Sequence, residues 1–272
     1  MSSNTIAFIG GGNMARSLIS GLLSADVDAG RIIVSDPLPA QREMLSELGV
    51  GTTADNDAAI AGASLVVLAV KPQVLGEVLR AVSSLTPDQL IVSIAAGVPI
   101  AAISGWTSTD QPIVRAMPNT PALLGAGITA LYANERVDEA GRARAEDILS
   151  AAGRTLWVDA EVKLDAVTAV SGSGPAYFFY LMEAMIESGV EQGLDPETAT
   201  VLTLETAFGA ALMARERTHT PEVLRANVTS PGGTTAAALE TLDAEGAKAI
   251  IKRALLRAGV RSKELAEEFG QS

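Results

Sequence analysis

Up to Val158 the chain alternates short β-branched runs with helical segments, and beyond it no convincing strand follows. Candidate strands are Ile6–Ile9, Arg31–Ser35, Leu65–Val70, Leu90–Ile94 and Ile113–Arg115, with weaker ones at Ile128–Tyr132 and Thr155–Val158. Several are apolar throughout, the mark of parallel strands covered on both faces. Helical patterns intervene at 14–24, 41–48, 54–61, 74–83 and 138–151. Such alternation predicts an α/β region with a parallel sheet and right-handed crossovers. Helical stretches alone then cover 161–170, 176–192, 196–217, 234–243 and 245–268. The boundary is expected near Asp159–Lys163, without a flexible linker.

Composition narrows the class. Hydrophobic residues make up 48% and charged residues 19%, so the chain can bury large cores. Cysteine is absent, which excludes disulfides, thiolate metal sites and a cysteine nucleophile. One histidine, His219, excludes a multi-histidine metal site, and its place between helices reads as a loop residue. The net charge of −12, without a basic patch, argues against nucleic acid as a partner. Met-Ser-Ser-Asn runs directly into an apolar strand and lacks the charged start of a signal peptide. The uncharged run 89–109 has membrane-spanning length, but Gly97-Val98-Pro99 and Ser104-Gly105 break it. A buried strand and a short helix are expected there instead, in a soluble, cytoplasmic protein with no membrane partner.

Two late helices are apolar nearly all round. Glu205 is the sole charge between Thr198 and Ala214, and Glu183 the sole charge between Ala176 and Ile186. An exposed amphipathic helix would show a charged face. A small helical domain can hardly enclose both, so burial against a second subunit is expected.

The chemistry-bearing motif stands at the first strand-to-helix junction. Gly10-Gly11-Gly12-Asn13-Met14-Ala15 fits G-x-G-x-x-A, with an apolar strand before it and a helix after. Gly10 allows the tight turn, Gly12 lets a diphosphate approach the backbone, and Ala15 lets the helix pack closely. Free amides at the helix start then face the diphosphate. This makes the N-terminal domain Rossmann-type and predicts a dinucleotide cofactor. Asp36 ends the second strand, where an acid can accept from an adenosine ribose hydroxyl and favour NAD. It also suits a plain turn residue before Pro37. Ser35, Arg42 and Asn56 lie in segments that could reach a 2′-phosphate, so the nucleotide choice stays open.

Other strand ends carry small or polar residues: Ala69-Val70-Lys71-Pro72, Ala95-Ala96-Gly97 and Met117-Pro118-Asn119-Thr120-Pro121. Ligands of open α/β sheets bind at the carboxyl ends of strands. Lys71 thus falls at the functional edge, and Ala95–Gly97 would let a flat nicotinamide or ribose lie on backbone. In the helical half, Ser171-Gly172-Ser173-Gly174-Pro175 reads as an entrance to a helix, with Ser173 or Gly174 as cap. Ser230-Pro231-Gly232-Gly233-Thr234-Thr235 is a second entrance. Its free amides and hydroxyls suit a small anion such as a carboxylate, although ordinary capping explains the same pattern.

Taken together, FIGGGNMA (8–15), AVKP (69–72), SIAAGV (93–98), RAMPNTPAL (115–123), DAVTAVSGSGPAY (165–177) and VTSPGGTT (228–235) resemble the pyrroline-5-carboxylate reductases. The motifs occur in family order over nearly the full chain. The resemblance implies a Rossmann domain at 1–160 and a helical dimerisation and substrate-binding domain at 161–272. It implies an intertwined dimer, often built into decamers, with active sites at the dimer interface. Ile9, Gly10, Gly11, Gly12, Asn13, Met14, Asn56, Ala69, Val70, Lys71, Pro72, Ala95, Ala96, Gly97 and Asn227 fall where the family contacts NADP. Glu161, Thr234 and Thr235 fall where it contacts substrate or proline. Asp36 departs from the small polar residue often found there.

The implied reaction reduces 1-pyrroline-5-carboxylate to L-proline with NADPH, or with NADH. Ser230, Gly232, Gly233 and Thr234 would clamp the carboxylate, and Thr235 would hydrogen-bond the ring nitrogen as donor or proton relay. The rival readings are a reductase of another cyclic imine, a 3-hydroxyacid dehydrogenase-like protein, and a non-catalytic NADPH-binding protein. The second would need a catalytic lysine early in the helical half, where Lys163 lacks a partnering asparagine on its face. The third would have no use for the 230–235 turn.

Overall fold

A computed structural model describes residues 5–270. The start Met1–Asn4, read above for a leader, lies outside them. By contacts the chain divides into two units. One runs to Ser173 and takes the chain up again from Ala258; the other is Gly174–Arg257.

The first unit is built on β1 (Ile6–Ile9), α1 (Asn13–Ser24), β2 (Ile32–Ser35), α2 (Pro39–Ser46), β3 (Gly51–Thr53), α3 (Asn56–Ile60), β4 (Leu65–Leu68) and α4 (Pro72–Ala81). It continues through β5 (Leu90–Ser93), α5 (Ile100–Trp106), β6 (Ile113–Met117), β7 (Gly127–Ala133), α6 (Glu139–Ser150), β8 (Gly153–Trp157) and α7 (Lys163–Val167). The strands form one sheet in the order β3-β2-β1-β4-β5-β6-β7-β8. Strands β1, β4 and β5 are buried at every position, as their uninterrupted apolar runs require. Their residues alternate between two cores. Ile6, Phe8, Leu65, Val67, Leu90 and Val92 face a cluster with Leu18 and Leu22 of α1 and Ile148 of α6. Ala7, Ile9, Val66, Leu68 and Ile91 face the other, with Ile60, Leu75, Leu79 and Ile103 of α3, α4 and α5. The period of two places one helical layer on each face of the sheet.

Among the described residues the sheet is mostly parallel. The exception is β6 with β7, which run antiparallel. Periodicity predicts a parallel sheet throughout but carries no direction. The short link 118–126 cannot make the crossover that a parallel neighbour needs, so the chain simply turns back. Strand β8 then returns parallel to β7 through α6.

The second unit contains α8 (Gly174–Glu191), α9 (Pro196–Arg215), α10 (Pro221–Asn227), α11 (Thr234–Ala244) and the first part of α12 (Ala247–Gly270). Asp195 caps α9 by accepting from the Thr198 amide at 3.0 Å. Gly189 of α8 lies close to Ala199 of α9, where an added Cβ would meet the Ala199 Cβ at 3.1 Å. Ala199 and Thr203 are buried there, whereas Phe178, Tyr180 and Phe208 are 64%, 76% and 61% exposed within one chain. The segment 171–175 differs from its expected role as a capped entrance. A π turn, Thr168–Gly172, follows α7 directly, and Ser173 stays in right-handed helical conformation before α8. Helical backbone continues through the glycines, so the chain has no free helix start for a Ser173 or Gly174 cap to close.

Candidate functional site

The strand order reverses direction of growth at β1 and β4, and a ligand crevice opens there beyond the carboxyl ends. The Gly10 amide donates to the Ser35 carbonyl at 2.8 Å, and Ala69 donates to Ile9 at 2.8 Å. Gly10 has φ +99°, and an added Cβ would lie 2.8 Å from the Ala69 carbonyl carbon and oxygen. Only glycine fits this crossing of the first turn over the Ala69–Val70 backbone. Gly12 stands at the N-cap of α1, offers no side-chain cap, and has open space where a Cβ would be. The amides of the first helical turn, from Asn13 and Met14 onward, lack intrahelical partners. Open space at Gly12 and an uncapped helix start fit a diphosphate.

Asp36 is buried, and both carboxylate oxygens are occupied. Oδ2 accepts from the Gly11 amide at 2.8 Å and Oδ1 from the Leu38 amide at 2.9 Å. Arg42 donates Nη1 to the carbonyls of Asp36 and Pro37, at 2.7 and 2.9 Å. Ser35 Oγ donates to Asn56 Oδ1 at 2.7 Å. Lys71 is exposed at the N-cap of α4, with Pro72 in the first helical position. The turn Ala95–Gly97 follows β5, one strand further along, and Ile94 donates to Leu68 at 3.1 Å. Ala95 and Gly97 are buried and Ala96 is exposed. The first unit therefore gathers Ile9–Met14, Ser35, Asp36, Asn56 and Ala69–Pro72 at one sheet edge, with Ala95–Gly97 beside them.

Glu161 is less free than its expected contact with substrate suggests. Its Oε1 accepts from Arg115 Nη1 at 2.8 Å and from the Ile100 amide at 2.8 Å, closing the start of α5. Arg115 is the charge that sequence reasoning passed over, and its signal is its position in the apolar strand IVRAM. Asn119, singled out above only as part of a polar strand end, holds two segments together as well. Its Nδ2 donates to the Ser171 carbonyl at 3.1 Å and its Oδ1 accepts from the Ile128 amide at 3.0 Å. This ties the Met117–Pro121 loop to the π turn.

The remaining expected residues belong to the helical unit. Asn227 ends α10, and Thr229 Oγ1 donates to Arg225 at 2.6 Å. The Ser230–Thr235 segment forms a tight turn in which Gly233 donates to Ser230 at 3.0 Å and Gly232 has φ +68°. Gly233 is the N-cap of α11 and carries no side-chain cap. Ser230, Gly232 and Thr234 are exposed and Thr235 is half-buried. Helix α11 thus begins, like α1, with first-turn amides that no capping side chain claims.

A mostly parallel sheet with a glycine turn after its first strand, extended by a helical unit, defines a dinucleotide-dependent oxidoreductase. A sequence model of NADP oxidoreductases, coenzyme F420-dependent, matches residues 5–97, and one of pyrroline-5-carboxylate reductase dimerisation matches 161–265. The chain is 51% identical to pyrroline-5-carboxylate reductase of Pseudomonas aeruginosa over 273 residues, covering 100% of both. It is 43% identical to that of Haemophilus influenzae, covering 99% of this chain and 100% of the other. Among solved structures it is similar to a pyrroline-5-carboxylate reductase from Coxiella burnetii, with a TM-score of 0.90, 43% identity and coverage of 98% and 99%. It is also similar to Plasmodium falciparum pyrroline carboxylate reductase with NADP bound, with a TM-score of 0.87, 28% identity and coverage of 98% and 99%. The chain belongs to the pyrroline-5-carboxylate reductase family. It is an NAD(P)H-dependent oxidoreductase acting on a C=N bond. Among the described residues no helix is long and apolar enough to cross a membrane.

Proposed function

We propose that the chain converts 1-pyrroline-5-carboxylate to L-proline with NADPH as its main reductant and NADH as a second, in the cytoplasm and as a dimer. The observation that carries this reading is the pairing of Gly10, packed onto Ala69–Val70, with Gly12, open at the uncapped start of α1. Gly12, Asn13 and Met14 hold the diphosphate through backbone amides. Ser35, Asn56 and Arg42 line the approach to the adenosine end. Asp36 spends its carboxylate on two backbone amides, which supports its reading as a turn residue over that of a ribose acceptor. The NADP-bound relative supports NADPH.

When bound, the reduced nicotinamide supplies the hydride that C5 of the imine accepts. Ala95, Ala96 and Gly97 provide a flat backbone surface for the nicotinamide half, and Lys71, Pro72 and Asn227 position the cofactor. The α11 entrance binds the substrate: amides of Gly232, Gly233 and Thr234 and the Ser230 hydroxyl take the carboxylate. Thr235 Oγ hydrogen-bonds the ring nitrogen and relays the proton that balances hydride addition, leaving a secondary amine. The imine carbon is already electrophilic when its nitrogen is protonated, so most of the acceleration comes from alignment. Glu161 borders the substrate through its bond to the start of α5. Exposed Phe178, Tyr180 and Phe208 support pairing of the helical unit, 161–272 in the domain division we propose, with a second copy.

The test is nucleotide oxidation that depends on pyrroline-5-carboxylate and yields one proline per nucleotide. Cofactor binding without turnover would refute the reading.

A further inference from the structure

The last stretch of α12 belongs to the nucleotide-binding unit and packs one continuous face within it. Gly259 lies under α7 and the π turn, where an added Cβ would stand 3.8 Å from the Ala169 Cβ and 3.9 Å from the Asp165 carbonyl oxygen. Three residues on, Ser262 Oγ donates to Asp165 Oδ1 at 2.7 Å. Both residues are buried, 97 positions apart in sequence. A further three and seven residues on come Leu265 and Phe269. The spacing 259, 262, 265 (266), 269 is one side of a helix. Away from that face, exposed Arg261 pairs with Glu264 and Glu268.

Leu265 and Phe269 end on Gly97. A Cβ added there would lie 3.4 Å from the Leu265 Cβ and 3.4 Å from the Phe269 ring. Phe269 also packs against the cluster that contains Ala95, Val98 and Ile100. Gly97 has φ +78°, a conformation that glycine holds without strain but that the chain does not itself enforce. A short turn of small residues is stiff only where something backs it. Here the buried side of Gly97 is backed by the helix end, and Ala96 remains exposed.

We propose that Leu265 and Phe269 are positioning residues for the reduction, fixing the Ala95–Gly97 turn as a rigid floor for the nicotinamide half of the cofactor. Asp165–Ser262 anchors the helix two turns earlier. The inference rests on the assignment of that turn to the nicotinamide half given above. Neither side chain touches cofactor or substrate; each acts through the backbone of the turn.

The experiment compares wild type with Phe269→Ala, Leu265→Ala and the conservative Phe269→Leu. Binding is measured with NADPH and with its 2′-phosphoadenosine diphosphoribose part, which lacks the nicotinamide. Phe269→Ala is expected to weaken NADPH binding and to lower kcat by up to about a hundredfold, the scale of a reacting group misplaced by about 1 Å. The nicotinamide-free fragment should bind within about twofold of wild type, because it does not use this floor. Phe269→Leu should recover most of the loss, and Leu265→Ala should repeat the pattern more weakly. Equal weakening of both ligands would overturn the proposal, since it would mean general loss of the fold. Unchanged NADPH binding and turnover in Phe269→Ala and Leu265→Ala would overturn it as well. Failure of wild type to bind NADPH would instead remove the functional reading on which the proposal stands.

Discussion

The carboxylate of Asp36 holds the amide of Gly11 at 2.8 Å, joining the end of β2 to the middle of the glycine turn. With Leu38 on the other oxygen, the side chain is a strut between two backbone segments. Hydrogen bonds to a buried charge each contribute about 1.5–3 kcal/mol. Asp36→Ala should therefore raise KM for NADPH and NADH together, by about tenfold or more. Asp36→Asn should do less. A selective gain for NADPH would show instead that Asp36 repels the 2′-phosphate.

Gly10→Ala should cost stability as well as binding. The new methyl would strike the Ala69 carbonyl and sit at φ +99°. Strain at such a position is about 1–3 kcal/mol. Denaturant unfolding checks this: a midpoint equal to wild type would mean that the turn relaxes freely.

Glu161 and Arg115 form a largely buried pair, with side chains 26% and 7% exposed. Removing one partner of a fully buried pair costs about 3–5 kcal/mol, and the exposure of Glu161 brings this to about 2–3. Glu161→Ala should lose this much and loosen the start of α5. The double variant Arg115→Leu/Glu161→Leu should recover part of it. A Glu161→Ala protein as stable as wild type would mean that the pair holds nothing together.

The Asp57 pKa is lowered from 3.8, chiefly by hydrogen bonding to Ser84 and then by the Ser84 and Ser83 amides. A depressed folded pKa means that its stabilisation is present above the unfolded value and disappears as pH falls through the folded one. Asp57→Asn should thus flatten the acid limb of the stability curve below pH of about 4, which acid titration of unfolding would show.

Phe208→Lys on α9 should convert dimer to monomer in sedimentation. It should also abolish the rise of melting temperature with protein concentration that association produces. A dimer that persists would place the pairing surface elsewhere.

Much of this architecture is legible in the residues. The runs Ile6–Ile9 and Leu65–Val70 announce buried parallel strands, and Gly10–Ala15 announces the turn from β1 into α1. Less was legible where partners decide. Strand β3 is three residues of Gly-Thr-Thr and gains its identity only by pairing with β2. Helix α10 was missed because seven residues carry little periodicity, although Thr220-Pro221-Glu222 is a start signal. No periodicity within the strands says that β7 runs against β6; only the shortness of the link 118–126 does. The bond from Ser262 to Asp165 spans most of the helical half, and no spacing rule reaches that far. Asp36 shows the same limit: position alone leaves a ribose acceptor and a turn residue both open, and only the folded backbone brings the Gly11 and Leu38 amides to its carboxylate.

The sharpest check is a side-by-side steady-state comparison of Gly12→Val and Thr235→Ala, with nucleotide binding measured for both. Gly12 has open space around it, so valine should leave stability intact while weakening NADPH binding at least tenfold, or about 1.4 kcal/mol. Thr235→Ala should bind NADPH as wild type does yet lose about a hundredfold in turnover, within the range for removal of a proton relay. That division of labour between the α1 and α11 entrances is the expected result. Near-normal turnover in Thr235→Ala, or NADPH binding untouched in Gly12→Val, would contradict it.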